Sequence, residues 1–304
     1  MELIMISQLY KTFSPKLIAL AIGVSEASIK RWCDKDVLYF EKTAGGHRRI
    51  PMSSVISFLK DNPRQLTSPE VLGLPMSFSK NELSLSQACD QMRQALIAGD
   101  ENLCFQIAFN LFMVGHKLSA ICDQVIALAF HRLGELWQHG DVEIYQERRG
   151  VEITRRLLHK FREMLPPPPA DAPVAIGATL RDDPYTLPGL MVELCLIENG
   201  WRAEFYGCGH PAPTLAAAIN DIQPRIVWLN VSAFDSAELF LSDYQTIWNQ
   251  AELMNVAVVL GGRALNHEIR QQMTYSAFCD TLEHMMTFAQ TINPNHNKNK
   301  KLES

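Results

Sequence analysis

VAIGATL (174–180), RAEFYG (202–207), RIVWLNVS (225–232) and VAVVLGG (256–262) are four short apolar runs separated by segments of helical periodicity. Helices are expected over 188–198, 213–221 and 236–254, with another after the fourth run. Apolar strands alternating with helices predict a doubly wound, Rossmann-like α/β domain, its parallel sheet covered on both faces. Such sheets take ligands at the carboxyl ends of their strands. Those ends are 181–189, 207–214, 232–236 and 261–263.

Upstream, PPPPADAP (166–173) cannot continue a helix and favours stiff polyproline geometry. The block before it, 83–165, repeats apolar residues at spacings of three and four. Leu85, Ala88, Met92 and Leu96 share one face, and Leu103, Ile107, Leu111 and Val114 another. Ile121, Val125, Leu128 and Leu136 form a third stripe, and Val151, Ile153, Leu157, Leu158 and Phe161 a fourth. Breaks fall near Gly99, Gly115 and Gly140, so a four-helix bundle is the simplest arrangement. The expected division is a head at 1–62, a connector at 63–82, the bundle at 83–165, the proline linker at 166–173, the sheet domain at 174–292 and a polar tail at 293–304. Pro63, Pro69 and Pro75 punctuate the connector, which reads as a linker or an irregular wrap.

Composition narrows the function classes. The 304 residues are 47% hydrophobic and 20% charged, which excludes a mostly disordered chain. No apolar run approaches the ~18 residues of a membrane span, and MELIMISQLYKTFSP at the amino terminus has no export-signal pattern. The seven cysteines include no Cys-x-x-Cys pair, which points to reduced thiols, a cytoplasmic protein and no structural zinc. Residues 1–64 carry ten Lys+Arg against six Asp+Glu, while the remaining 240 carry eighteen against twenty-seven. A basic head on an acidic body suggests that the head meets a polyanion.

In the head, Ser14-Pro15 opens a helix continued by KLIALAI (16–22), Gly23-Val24 breaks it, and Ser25 caps a second helix, EASIKRWC (26–33). Two short helices about a tight turn form a helix-turn-helix, with Ala19, Ala21, Val24 and Ile29 as its core. Ser28, Lys30 and Arg31 project from the second helix, the side a recognition helix turns to DNA. Trp32 is read as core. LYFEKTAGGHRRIP (38–51) then gives strand, Gly45-Gly46 turn and basic strand, a hairpin whose His47, Arg48 and Arg49 can reach phosphates. Pro51 opens a further helix over 52–60.

Tyr39-Phe40 through Thr43-Ala44-Gly45-Gly46-His47-Arg48-Arg49 closely resembles the winged helix of the MerR family of bacterial transcription regulators. The resemblance covers about sixty residues and implies double-stranded DNA as partner, bound by a dimer or tetramer. It implies phosphate contacts from Arg31, Lys42, Arg48 and Arg49, and base contacts from Ser28 and Lys30. No sustained heptad follows, so homo-oligomer assembly must use the other domains.

With the bundle and sheet added, nearly the whole chain resembles the cobalamin-binding light- or ligand-responsive regulators related to CarH and LitR. Those proteins cap the corrinoid with a Trp about ten residues before a Glu-His pair. Here Trp137 and Glu147 fit, and Arg148 stands in place of the His. They ligate cobalt through a His in the loop after the first strand, in an Asp/Glu-x-His-x-x-Gly pattern. Here that loop, 181–189, carries Asp183, Tyr185, Thr186 and Gly189 but no His. Threonine and tyrosine are poor nitrogen-donor substitutes. The remaining pocket positions the resemblance implies are His210, Ser232 (near the nucleotide tail), and Gly261 and Gly262 (where backbone approaches the buried base).

The resulting expectation is a DNA-binding regulator with a sensory and oligomerising body in which cobalamin binding is weakened or lost. Cobalamin remains possible without its axial His, and a small-molecule effector is possible. The alternatives are a photoreceptor-type repressor that still binds adenosylcobalamin, a corrinoid carrier or enzyme module, and an antirepressor acting through the acidic body. Cys208 with His210 can hold a metal or haem, but a lone Cys-x-His in a turn more often binds nothing, and no metal is expected. Asp182 and Asp183 have no nucleophile near them in sequence, so a solvated acidic loop and no enzyme are expected.

Overall fold

The structure, a computed structural model, describes residues 11–63, 66–75 and 83–293. It divides into two compact units, Met1–Lys117 with Gln124–Pro167 and Leu118–Asp123 with Pro168–Ser304. The polar tail after Asn293 and positions 76–82 of the connector lie outside the described residues.

The first unit opens with β1 (Thr12–Phe13). Ser14 then caps α1 (Pro15–Ile22) by accepting from the Leu17 N–H, and Pro15 supplies the fixed φ of a first turn. Gly23, at φ 79°, ends the helix in a left-handed conformation that side chains resist. Ser25 caps α2 (Glu26–Asp34), its Oγ accepting from the Ser28 N–H at 3.1 Å. Ile18, Ala19, Ala21, Ile22, Ile29 and Cys33 are buried around the pair, while Val24 is only half-buried. Because α2 is nine residues long, its cap is a large share of its stability. Ser25→Ala should destabilise the unit by about 1 kcal/mol, measured by urea unfolding.

A hairpin of β2 (Glu41–Lys42) and β3 (Arg48–Pro51) follows, and β1 pairs with the other edge of β3. Gly46 turns the hairpin at φ 76°. α3 (Met52–Asp61) places Phe58 against Trp32, ring centroids 5.0 Å apart. The connector is partly structured: Thr67 N–H donates to the Ala21 carbonyl at 2.8 Å, and Pro69, Leu72 and Leu74 are buried around a 3-10 turn at Pro69–Leu72. Apolar residues close the wrap that prolines alone suggested.

Four helical segments follow: α4 (Leu85–Ala98), α5 (Glu101–Met113), a third segment and α8 (Ile144–Met164). On α5 the buried row runs through Cys104, Ile107, Ala108 and Leu111, and Leu103 and Val114 of the expected stripe are exposed. The third segment is broken. α6 (Leu118–Ile121) leads into a π-helical turn, Cys122–Ala127, before α7 (Leu128–Gln138). The extra residue per turn shifts the buried stripe to Val125, Ile126, Ala129 and Leu133, leaving Leu128 and Leu136 half-buried.

In the second unit, Glu198 accepts from the Leu118 N–H at 3.0 Å, and Asp123 accepts from the N–H groups of Leu282 and Glu283. These bonds tie the 118–123 segment to the sheet domain. The strands are β4 (Val174–Ala178), β5 (Arg202–Phe205), β6 (Ile226–Asn230), β7 (Ala257–Gly261) and β8 (Ala277–Phe278), all parallel in the order β5-β4-β6-β7-β8. Between them run α9 (Leu187–Glu198), α10 (Ala212–Ile222), α11 (Ala237–Leu253) and the short α12 (His267–Arg270), with α13 (Leu282–Ile292) last. Leu215, Ile219, Phe240, Tyr244 and Ile247 of α10 and α11 pack on Ile176, Val227, Leu229, Val258 and Leu260. α9 and α13 pack together on the opposite face. The chain leaves β4 for one edge and returns past it to β6, so the switch point lies between β4 and β6. The fold is thus helical plus a Rossmann-like parallel sheet. Among the described residues no helix is long and apolar enough to cross a membrane.

Candidate functional site

The loops at the switch point are sewn to one another. Asp183, expected in a solvated acidic loop, is 3% exposed. Its Oδ1 accepts from the Tyr185 N–H at 3.0 Å, and its Oδ2 from the N–H groups of Ser232 and Ala233 at 2.6 and 3.3 Å. Burial raises its pKa above the ordinary aspartate value, against the lowering effect of these three donors and of Arg263. Asp182 beside it takes a left-handed φ of 67° and stays exposed. The Thr179 hydroxyl donates to the Asp183 carbonyl and accepts from the Gly209 N–H. His210 Nε2 donates to the Tyr206 carbonyl at 2.9 Å, and the guanidinium of Arg263 lies 5.2 Å from the Tyr185 ring. Thr186 precedes α9 without a side-chain cap.

The expected pocket glycines Gly189, Gly261 and Gly262 face protein, and so does Gly177 of β4. A Cβ on Gly262, whose φ is 124°, would stand 2.2 Å from the Val231 carbonyl oxygen, and one on Gly261 would stand 2.9 Å from that of Cys279. A Cβ on Gly189 would meet the Phe205 ring at 2.1 Å, and one on Gly177 the Trp228 ring at 1.9 Å. Phe205 and Trp228 lie nearly parallel, at 21° with centroids 6.5 Å apart, and Trp228 is 2% exposed. Neither residue nor Asn230, buried at the end of β6 with Oδ1 unpartnered, stood out in sequence. A cleft lined by Arg225, Trp248, Glu252 and Ser276 opens instead at the amino-terminal edge of the strands.

A corrinoid held as the resemblance implies needs an imidazole in the 181–189 loop and free space beside the glycines. The loop has no His, its carboxylate is spent on backbone N–H groups, backbone carbonyls of Val231 and Cys279 stand against Gly262 and Gly261, and the Phe205 ring stands against Gly189. The sheet domain's residues do not fit the group.

In the first unit, Trp137 ends α7 and Glu147 and Arg148 begin α8, flanking one turn. Trp137, Ile144 and Tyr145 are exposed there, and Arg148 Nε lies 3.5 Å from Glu147 Oε2. In the head, Ser28, Lys30 and Arg31 lie on α2. The Ser28 hydroxyl meets that of Ser25 at 3.0 Å, and Lys30 pairs with Glu26 at 2.8 Å. Lys42, His47 and Arg49 are exposed on the hairpin. Arg48 has partners within the head. Its guanidinium donates to Asp34 Oδ1 at 2.6 Å and to the Lys30 carbonyl at 2.9 Å, and it lies 5.0 Å from the Phe40 ring. The side chain braces the hairpin against α2. Among the described residues no three His, Cys, Asp or Glu side chains gather as a metal site would need.

Residues 88–160 match the family model described as B12 binding domain. No curated protein matches the chain. Among solved structures, the monomethylamine corrinoid protein of Methanosarcina barkeri is similar with a TM-score of 0.58 at 11% identity, over 69% of this chain and 100% of that one. A cobalamin-binding protein from Desulfitobacterium hafniense gives 0.39 at 15% identity, over 69% and 98%. The methanol:cobalamin methyltransferase complex MtaBC of Methanosarcina barkeri gives 0.37 at 13% identity, over 79% and 92%. Residues 88–160 thus carry a B12-binding-type sequence, and about two-thirds of the chain shares the fold of a corrinoid protein.

Proposed function

We propose that the chain is a DNA-binding transcription regulator of the winged-helix, MerR-like type, with a corrinoid-protein body that serves as its sensory or assembly module. The observation that carries this is the head: a capped α2 presenting Ser28, Lys30 and Arg31 beside a glycine-tipped hairpin presenting Lys42, His47 and Arg49. A short helix of this size fits a major groove, and the hairpin's cations then lie near the flanking backbone. The acidic body is unsuited to a polyanion, which leaves binding to the head.

Selection of bound duplexes from a random pool, followed by titration at two salt concentrations, tests the reading. With two heads per site and about three phosphate contacts each, affinity should fall roughly a thousandfold between ~50 and ~200 mM salt. A flat salt response, or no enriched sequence, would sink it.

A second reading keeps a corrinoid on the body, as carrier or as light-responsive repressor. The B12-binding family match over 88–160 favours it, with Trp137 and Glu147 on the bundle as the cap. In that case gel filtration after incubation with cobalamin in the dark retains one red equivalent per chain. The closed switch point favours little or none.

A further inference from the structure

We infer that Trp228 and Phe205 form a built-in plug, filling with the protein's own rings a slot that Gly177 and Gly189 leave for a planar aromatic base. The inference rests on the corrinoid-protein fold of the body and is independent of DNA binding. Trp228 stands opposite Gly177 in the β4–β6 register, so its indole falls where the glycine has no side chain. Phe205, at the end of β5, does the same over Gly189 in the first turn of α9. Two glycines on different elements are each covered by a ring at under 2.5 Å from the Cβ position, and the two rings lie within 21° of parallel with centroids 6.5 Å apart.

The indole is held there by shape. Its Nε1 is buried without a hydrogen-bond partner, whereas a buried Trp usually finds one. A ring that gives up that bond is placed for its volume and flatness. The slot adjoins the switch point, where Asp183 occupies the N–H groups of Ser232 and Ala233 that an anionic ligand group would take. Ring and carboxylate together satisfy from within what an aromatic, anionic ligand would supply from outside. The unit therefore keeps its fold without a ligand.

The test uses the full chain, with melting followed by circular dichroism. Trp228→Ala should lower the melting temperature by about 10 °C or more. Millimolar indole or benzimidazole should then raise the variant's melting temperature by several degrees and leave wild type unchanged. A folded Trp228→Ala protein indifferent to both rings would overturn the inference. So would a rise of the wild-type melting temperature with benzimidazole, a measurement that stands even if the variant does not fold. Duplex titration of the same wild-type sample separates the two readings: loss of DNA binding refutes the regulator and leaves the plug standing.

Discussion

Replacing Asp183 by alanine should lower the stability of the strand–helix unit by about 3 kcal/mol, close to 10 °C in melting temperature. The carboxylate is nearly inaccessible and satisfies three backbone N–H groups from two loops. Removing it leaves those donors without an acceptor in a site too tight for easy rehydration. Asp183→Asn keeps one acceptor oxygen and should cost about half as much. The pH dependence has a defined sign. Burial holds the folded-state pKa above the unfolded one, so the native state takes up the proton first as pH falls. The contribution of Asp183 is therefore greatest below the unfolded value and diminishes as pH rises through the raised folded value. Melts of wild type and Asp183→Asn at several pH values should show the gap between them narrowing from acid toward neutral pH. A gap that widens instead would mean that the three N–H donors outweigh burial.

The same residue shows where sequence stops being readable. Asp182-Asp183-Pro184 reads as a solvated turn, because the amides that bury Asp183 lie beyond two intervening strands, at Ser232 and Ala233. β4, β6 and β7 are legible as apolar runs between helices. β8 has two residues and no run, and only its pairing with β7 defines it. The third bundle helix reads as one stripe, but the π-helical turn at 122–127 shifts its phase, which no spacing rule anticipates. Gly177 and Trp228 were each visible in sequence as ordinary strand residues. That one ring occupies the other's missing side chain depends on register, which the β4–β6 pairing fixes. In the head, caps and glycines carried nearly everything, since Ser14, Ser25 and Gly23 act on their immediate neighbours.

Arg48 and Arg49 differ for a reason that strand geometry does supply. Successive side chains on a strand point to opposite faces, and Ile50 is fully buried. Arg48 therefore shares the inward face, where it finds Asp34 and the Lys30 carbonyl, and Arg49 faces outward. The two alanine variants should accordingly fail in different ways. Arg49→Ala should leave the melting temperature unchanged, weaken duplex binding about tenfold per head, and reduce the magnitude of the salt slope by roughly 1 per head. Arg48→Ala should destabilise the first unit by about 1 kcal/mol and weaken binding through a hairpin no longer fixed against α2. Its salt slope should stay at the wild-type value, because Asp34 already neutralises the charge. If Arg48→Ala instead flattens the slope and leaves the melt untouched, Arg48 leaves Asp34 for phosphate when DNA binds. The brace would then be a feature of the free protein alone.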